Sequence, residues 1–529
     1  MKKPASDARQ AGGLQTLQCA PGWVVALPAF LICLGLGVAS FFVLADMQVE
    51  AFETEIPEMV RIARRNLPHA IVGALLLGGV LAGGAAALRS RISWRTARIA
   101  AFASAALNTI LGFVWTSSFK SKPVADQEVF WNIAQTLAGK GELRSDQLEY
   151  LRYWPFQAAS GMMAVPAAWL SNGEHLLWQV LSAVCAGGCV LLLCCICARM
   201  TDSPQAKTLC AVLLAGFVPL PMYTTFVYGT LPGMLLALLG IYAVIRQCQP
   251  TAHERRWWGV AAAAFALSVT LYTGEQIFLV AGVLVLLAAG LFDKTQRRKL
   301  LAAVLLAAVA LAFSKGAQAA ALYALGMENE PGTPILTRIA MGVNSHSEVT
   351  PGFYNGDSIV LYYMADYQPD KANELAANFI KGCLSELKNE KRMLAFFGEK
   401  TADQWLEPWF GGLTMNNPAV YNEPNVLARG ITGGTLFRVL HRWLSTLLPV
   451  IYLGAAAGIA ALRRRHPREV WRLSLAAALI GGFLFQLMAE AKPRYCMPYY
   501  LGCFPLAAAG LAALGEALAK RKNAKSAVK

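Results

Sequence analysis

The chain alternates long apolar runs with shorter polar connections. Runs of roughly 17 to 25 mostly apolar residues are long enough to cross a bilayer as helices. Such runs begin near Val24, His69, Ile99, His175, Thr208, Leu231, Gly259, Gln276, Leu300, Leu444, Leu473 and Cys496. The pattern predicts an all-α polytopic membrane protein with about twelve transmembrane helices.

Composition supports this class. Of 529 residues, 56% are hydrophobic and only 15% are charged, and the mean hydropathy is +0.44. Such values exclude a soluble enzyme. Most cysteines lie within apolar runs, where they act as small hydrophobic residues, so no disulfide framework is predicted.

The net charge of +15 indicates orientation rather than nucleic-acid binding. Lysine and arginine concentrate in alternate loops, and these would share one side of the membrane if twelve spans alternate. By the positive-inside rule, both termini are predicted to be cytoplasmic. The basic segments are the N-terminus, 89–98, 199–207, 246–256, 294–299, 463–472 and the tail from 520.

The spacing of the runs predicts four regions. Residues 1–98 hold a two-helix addition, and 99–326 hold a seven-helix core with a long external loop at 118–174. Residues 327–442 form a small external lobe, and 443–529 supply three further helices. In the loop, Val129, Ile133 and Leu137 recur every fourth residue, which predicts an amphipathic helix on the membrane surface.

Three runs carry a resemblance to a known family. They are 150–157 (YLRYWPFQ), 226–232 (FVYGTLP) and 490–498 (EAKPRYCMP), and Asp126 precedes them early in the external loop. In this order they resemble the GT-C glycosyltransferases, and most closely the bacterial family-39-like enzymes related to protein O-mannosyltransferases and the lipid A aminoarabinose transferase. Thr230 departs from the pattern, because these enzymes often carry Asp or Asn there.

The resemblance implies a glycosyltransferase of the cell membrane whose active site faces outward. The donor would be a sugar linked to undecaprenyl phosphate, and the acceptor a glycan, glycolipid or protein of the cell envelope. Departure of the lipid phosphate raises its charge from about −1 to about −2, so cationic groups there bind the transition state better than the ground state.

The acidic candidates are Asp126 and Glu128. Asp126 matches the family's first-loop acid and could accept the acceptor's proton; its alternative is a helix N-cap. Glu128 is either a substrate-binding acid or a charge in the first turn of a helix.

The cationic candidates for the donor phosphate are Arg494, Lys492 and Lys315. A guanidinium suits phosphate oxygens, but Arg494 and Lys492 could instead anchor the chain to lipid headgroups. Lys315 lies deep in an apolar run and could face the phosphate or pair with an external acid such as Glu275. Glu490 could pair with one of these cations or contact substrate.

Polar aromatic and amide side chains complete the predicted substrate site: Tyr153, Gln157, Tyr228 and Tyr495. Interfacial tyrosines are also common for structural reasons alone. No cofactor or metal is indicated, because the six histidines are scattered, although Asp126 and Glu128 could hold a divalent cation through oxygen ligands.

A polytopic transporter or a flippase for lipid-linked saccharides is the alternative function. A transporter built from two six-helix halves would carry its longest loop between spans six and seven. Here that connection is short and the large loops lie elsewhere, which favours a transferase.

Overall fold

The computed structural model describes residues 6–47, 60–119, 121–249, 256–292, 297–346, 350–413, 427, 430–431 and 434–528. Within these ranges the chain is predominantly helical, and ten helices are long and apolar enough to cross a membrane. The predicted all-α polytopic class is therefore confirmed.

The helices are numbered in chain order. The first half contains α1 (Ser6–Phe42), α2 (Leu67–Ala87), α3 (Trp94–Phe119), α4 (Asp126–Leu137), α5 (Ser145–Tyr153), α6 (Phe156–Met162), α7 (Val165–Leu170), α8 (Leu176–Thr201), α9 (Pro204–Ala215), α10 (Pro219–Met222) and α11 (Thr230–Cys248). The second half contains α12 (Arg256–Leu271), α13 (Gln276–Phe292), α14 (Arg298–Ala324), α15 (Ile335–Gly342), α16 (Asp357–Met364), α17 (Pro369–Asn389), α18 (Met393–Trp405), α19 (Thr435–Arg465), α20 (Ser474–Met488) and α21 (Pro493–Val528).

Each predicted apolar run corresponds to a helix, but two of them differ from a simple span. The fifth is a pair of helices, Pro204–Ala215 and Pro219–Thr225, joined by a bend of 50°. Pro219 and Pro221 lack the amide hydrogen that a continuous helix needs, which accounts for the break. The seventh, α12, has only 16 residues.

The N-terminal segment contains a feature that the apolar pattern did not predict. Strand β1 (Val43–Met47) pairs antiparallel with β2 (Val60–Arg64) in a two-stranded sheet. Helix α1 packs against α19, and α2 packs against α21. The first two helices are thus joined to the last part of the chain.

The loop after α3 folds into the four short helices α4 to α7. The predicted apolar stripe exists, but protein covers it rather than lipid: Val129 and Ile133 pack in a cluster with Ala321 and Leu322 of α14. The predicted amphipathic helix is therefore present, and its apolar stripe is buried against α14. The helix lies against the ends of the bundle, because α14 offers an apolar surface there.

Helices α15 to α18 form the lobe predicted between α14 and α19. Its junction with the bundle contains Lys400, which is fully buried. The ammonium group donates to the carbonyl oxygen of Gly342, at the end of α15, and to that of Ala489, 2.6 Å away and just after α20. Carbonyl groups at helix C-termini attract cations, so Lys400 joins lobe and bundle.

The two ends of the bundle differ in character. At one end Arg472 donates to the carbonyl oxygens of Arg199 and Met200 and forms an ion pair of 2.8 Å with Asp202. Two of the predicted basic loops therefore meet there. At the other end of α8, His175 Nε2 lies 3.1 Å from the carbonyl oxygen of Ser121, close to the start of α4.

Candidate active site

Asp126 is the first residue of α4 and lies outside the long helices. The preceding residue, Ala125, is the N-cap, adopts a φ of +49° and makes no side-chain capping bond. The carboxylate instead accepts a 2.8 Å hydrogen bond at Oδ1 from the hydroxyl of Tyr150. Asp126 is therefore not the N-cap of α4; Ala125 occupies that position.

A chain of hydrogen bonds extends from this carboxylate into the protein. The Gln157 amide donates to the hydroxyl oxygen of Tyr150 at 3.3 Å and also to that of Tyr228. Among the described residues, Gln157 Oε1 is buried without a hydrogen-bond partner. A buried amide oxygen of this kind is available to accept a hydrogen bond from a hydroxyl group of a ligand.

The loop that carries Tyr228 is held from two sides. The Val227 amide donates to Gln127 Oε1 at 3.0 Å, and the Trp178 indole donates to the Tyr228 carbonyl oxygen, also at 3.0 Å. Gln127 belongs to α4, so the helix that starts with Asp126 also fixes the position of Tyr228.

Asp126 and Arg494 influence the same phenol. Burial is the main cause that raises the pKa of Tyr228; the charge of Asp126 raises it further, whereas Arg494 lowers it. Burial also raises the pKa of Tyr150 well above its ordinary value, again assisted by Asp126. Asp126 and Arg494 therefore both lie close enough to Tyr228 for their charges to affect its pKa.

Arg494 lies at the start of α21, near the end of the polar segment that follows α20. Its guanidinium is 5.6 Å from the ring centre of Phe226 and 5.1 Å from that of Tyr495. It donates to the Tyr495 hydroxyl at 3.4 Å, and this hydroxyl donates to Glu490 at 3.2 Å. Lys492 forms an ion pair of 3.1 Å with Glu490.

Three predicted site residues lie elsewhere. Glu128 pairs with Arg144 at 2.6 Å, as a first-turn charge would. Tyr153 packs on Tyr362 and Tyr367 of the lobe.

Lys315 is exposed on α14 and donates to Gln318 at 3.4 Å. The alternative in which Lys315 pairs with Glu275 is not formed, since both carboxylate oxygens of Glu275 lack hydrogen-bond partners among the described residues. Lys315 does not reach Glu275 because its side chain lies on the exposed surface of α14, beside Gln318.

The structure adds residues that the sequence did not single out. Tyr150 contacts Asp126 directly, and its only signal was its place in the aromatic run 150–157. Arg338 of α15 stacks on Trp154, 4.6 Å from the ring centre, and interacts electrostatically with Tyr495 and Glu490. The sequence signal that could have pointed to Arg338 was a single charged residue in a short, mostly apolar helix.

A metal site is not evident in the part of the chain that the structure describes: no three His, Cys, Asp or Glu side chains cluster in a way that could hold an ion. Glu128, one of the two oxygen donors considered above, is paired with Arg144. The candidate site combines a carboxylate bound to Tyr150, whose hydroxyl also accepts from Gln157, with a second group of side chains that contains Arg494, Lys492, Tyr495 and Glu490.

No protein-family model and no curated protein matches the chain. Among solved structures, the chain is similar to the archaeal oligosaccharyltransferase AglB from Archaeoglobus fulgidus, in complex with an inhibitory peptide and a dolichol-phosphate, with a TM-score of 0.35 and 14% sequence identity. The match covers 77% of this chain and 50% of that chain, so this chain spans about half the length of AglB. A likeness of this size does not establish a shared activity.

Proposed function

We propose that the protein is a GT-C-type membrane glycosyltransferase that moves a sugar from a polyprenyl-phosphate donor, such as undecaprenyl phosphate, to an acceptor of the cell envelope. The observation that supports the proposal is that hydrogen bonds link Asp126 through Tyr150 and Gln157 to Tyr228, while Arg494 lies over Phe226 in the same loop. A reaction that takes a proton from a hydroxyl and releases a phosphate needs a carboxylate and a cation within one sugar's reach.

In the proposed reaction, an oxygen of the acceptor hydroxyl forms a bond to the anomeric carbon. The bond from that carbon to the phosphate oxygen breaks, and its electron pair leaves with the phosphate. Asp126 accepts the hydroxyl proton. Attack from the side opposite the leaving group inverts the configuration of the anomeric carbon, and the phosphodiester becomes a monoester with about one more negative charge.

Arg494 would bind the phosphate, because a guanidinium offers two parallel donors to phosphate oxygens. Lys492 would act beside it, although its pairing with Glu490 at 3.1 Å offsets part of its charge. Lys315, exposed on α14, would at most meet the lipid chain or headgroup.

The sugar would lie between the two charged sides. Gln157 Oε1, buried and without a partner among described atoms, would accept from a sugar hydroxyl. Tyr228 and Tyr495 would line the same space, since both interact electrostatically with Arg494. Tyr153 would act indirectly, because its ring packs into the lobe.

The active site would face the outer side of the cytoplasmic membrane, with both termini in the cytoplasm. Two basic loops meet at the end of the bundle that carries Arg472, and the site residues lie at the other end of α8. The positive-inside rule assigns the basic end to the cytoplasm.

Mass spectrometry of envelope glycans and glycolipids would test this function. Strains with and without the intact gene would be compared, with the wild-type gene or Asp126→Asn returned to the deleted strain. We expect one sugar to disappear from one envelope component and to return only with the wild-type gene. If the protein were a flippase, the gene with Asp126→Asn would also restore the sugar, because transport requires no proton acceptor at this position.

A further inference from the structure

The lobe contributes a side chain to the site that Arg494 occupies. Arg338 lies in the middle of α15, and its charge interacts with those of Tyr495, Glu490, Tyr150 and Tyr228. Tyr150 donates to Asp126, and Tyr495 accepts from Arg494. Arg338 therefore lies within electrostatic reach of the residues among which the donor is proposed to bind.

Aromatic rings hold the Arg338 guanidinium without neutralising it. It stacks 4.6 Å from the ring centre of Trp154 and 5.1 Å from that of Phe156. Its Nε is buried without a hydrogen-bond partner, and no carboxylate of the described residues lies within ion-pair distance of it. Burial lowers the pKa of Arg338 from its ordinary value, and an anion would stabilise this partly buried guanidinium.

Helix α15 is fixed at its beginning by the turn after α5. The Thr333 amide donates to the Tyr153 carbonyl oxygen at 3.0 Å. Gly332 adopts a φ of +72°, and a Cβ there would lie 2.4 Å from Pro155 Cδ. Only glycine permits this approach, which places Arg338 over Trp154.

The end of α15 is fixed to the segment that carries Arg494. A Cβ on Gly342 would lie 2.3 Å from the carbonyl oxygen of Met488, so the two helix ends are in direct contact. Lys400 donates to the carbonyl oxygens of Gly342 and Ala489 across this contact. The helix that carries Arg338 is therefore joined directly to the segment that leads to Arg494.

Charge balance indicates the ligand. Arg338, Arg494 and Lys492 are cations, and Glu490 and Asp126 are the carboxylates described at this site, so cations outnumber carboxylates among these five residues. A phosphate monoester carries up to about two negative charges, whereas the phosphodiester carries about one. A site with more cations than carboxylates binds the departing monoester more strongly than the donor's phosphodiester, as transition-state stabilisation requires.

We propose that Arg338 is a second phosphate-binding residue, which joins Arg494 on the lipid phosphate and makes the lobe a wall of the active site. This inference rests on the proposed function. It gives the lobe a direct role in the reaction, beyond covering the bundle.

Binding of undecaprenyl monophosphate to the purified full-length protein in detergent tests it. Arg338→Gln removes the charge but keeps a planar amide between Trp154 and Phe156. Arg392→Ala is the matched control, because Arg392 lies exposed on the same lobe and pairs with Glu390. At pH 7.5 we expect Arg338→Gln to bind about tenfold more weakly than wild type, equivalent to about 1.4 kcal/mol, with the control unchanged.

A pH series separates a direct contact from a merely structural role. The monoester takes up its second proton near pH 6, so the advantage of wild type over Arg338→Gln should shrink at pH 5.5. Equal binding by wild type and Arg338→Gln at both pH values would overturn the inference and leave the proposed function intact. Failure of wild type to bind the monophosphate would count against both.

A measurement on wild type alone covers the case in which Arg338→Gln does not fold. Phenylglyoxal modifies arginine side chains, and peptide mass spectrometry would report its rate at each position. We expect undecaprenyl monophosphate to slow modification of Arg338 and Arg494 but not of Arg392. An unchanged rate at Arg338, with Arg494 protected, would contradict the inference.

Discussion

The Tyr150 hydroxyl donates a 2.8 Å hydrogen bond to Oδ1 of Asp126. Tyr150 comes from α5 and Asp126 from the start of α4, so this bond connects two separate helices of the loop. It orients one carboxylate oxygen and leaves the other, Oδ2, for a second contact. A base that must receive a proton from a substrate hydroxyl needs such an oriented, partly open carboxylate.

Tyr150→Phe removes this hydrogen bond and little volume. Hydrogen bonds to charged groups contribute about 1.5–3 kcal/mol, so we expect kcat for sugar transfer to fall about tenfold or more. KM should change less, because the hydroxyl orients the base rather than the donor phosphate. Steady-state kinetics would check this, and a variant with unchanged kcat would show that Asp126 needs no orientation by Tyr150.

Glu128→Gln distinguishes the second acid from the first. Glu128 pairs with the half-exposed Arg144, and surface ion pairs contribute at most about 1 kcal/mol. We expect transfer activity within about threefold of wild type. A loss comparable with that of Asp126→Asn would mean that Glu128 takes part in the reaction.

Lys400→Met tests the junction between lobe and bundle. The substitution leaves two buried carbonyl groups without their donor, each at a cost of about 1–3 kcal/mol. We expect a lower melting temperature in detergent and weaker binding of undecaprenyl monophosphate. Lys388→Met, at an exposed position of α17, is the control and should leave both unchanged.

The pH dependence of stability should also report on Lys400. Burial lowers the pKa of Lys400 to about 7, against the opposing charges of Glu490 and Asp403. Between pH 8 and 10 the unfolded chain binds a proton that the native lysine does not, so the free energy of unfolding rises with pH. Asp403, whose pKa burial raises to about 8, titrates mainly below this window. The melting temperature of wild type minus that of Lys400→Met should therefore increase from pH 8 to 10; a constant difference would contradict this.

Chelation should leave transfer unaffected. The proposed cations for the phosphate are side chains, so we expect wild-type turnover to persist after treatment with EDTA and removal of the chelator. Activity that disappears on treatment and returns with Mg²⁺ or Mn²⁺ would require oxygen ligands such as Asp126 to hold an ion.

The helical framework followed from the sequence because lipid allows few alternatives. A long apolar run must satisfy its backbone internally, so each such run predicted a helix. The β1–β2 hairpin was missed because Val43–Met47 continues the apolar run of α1, and periodicity alone does not separate a short strand from a helix end.

Within the site, the sequence indicated charged residues at the ends of spans but not which ones meet. Asp126 and Arg494 were predicted from their residue types and their positions in the sequence. In the structure, the charges of both influence the pKa of Tyr228. Arg338 and Lys400 were missed because their roles depend on how the lobe folds back over the bundle. Lys315 was considered for the donor site because of its depth along an apolar run. Depth along a helix does not define the direction of a side chain, and in the structure Lys315 is exposed.

The most direct test of the central claim is release of polyprenyl monophosphate by protein reconstituted in liposomes. A lipid extract from the deleted strain would supply the donor and an extract of its envelope the acceptor, with mass spectrometry as the readout. We expect wild type to release the monophosphate, and Asp126→Asn and Arg494→Ala to release it at least about a hundredfold more slowly. Near-normal release by either folded variant would remove that residue from the mechanism, and no release by wild type would contradict the proposed reaction.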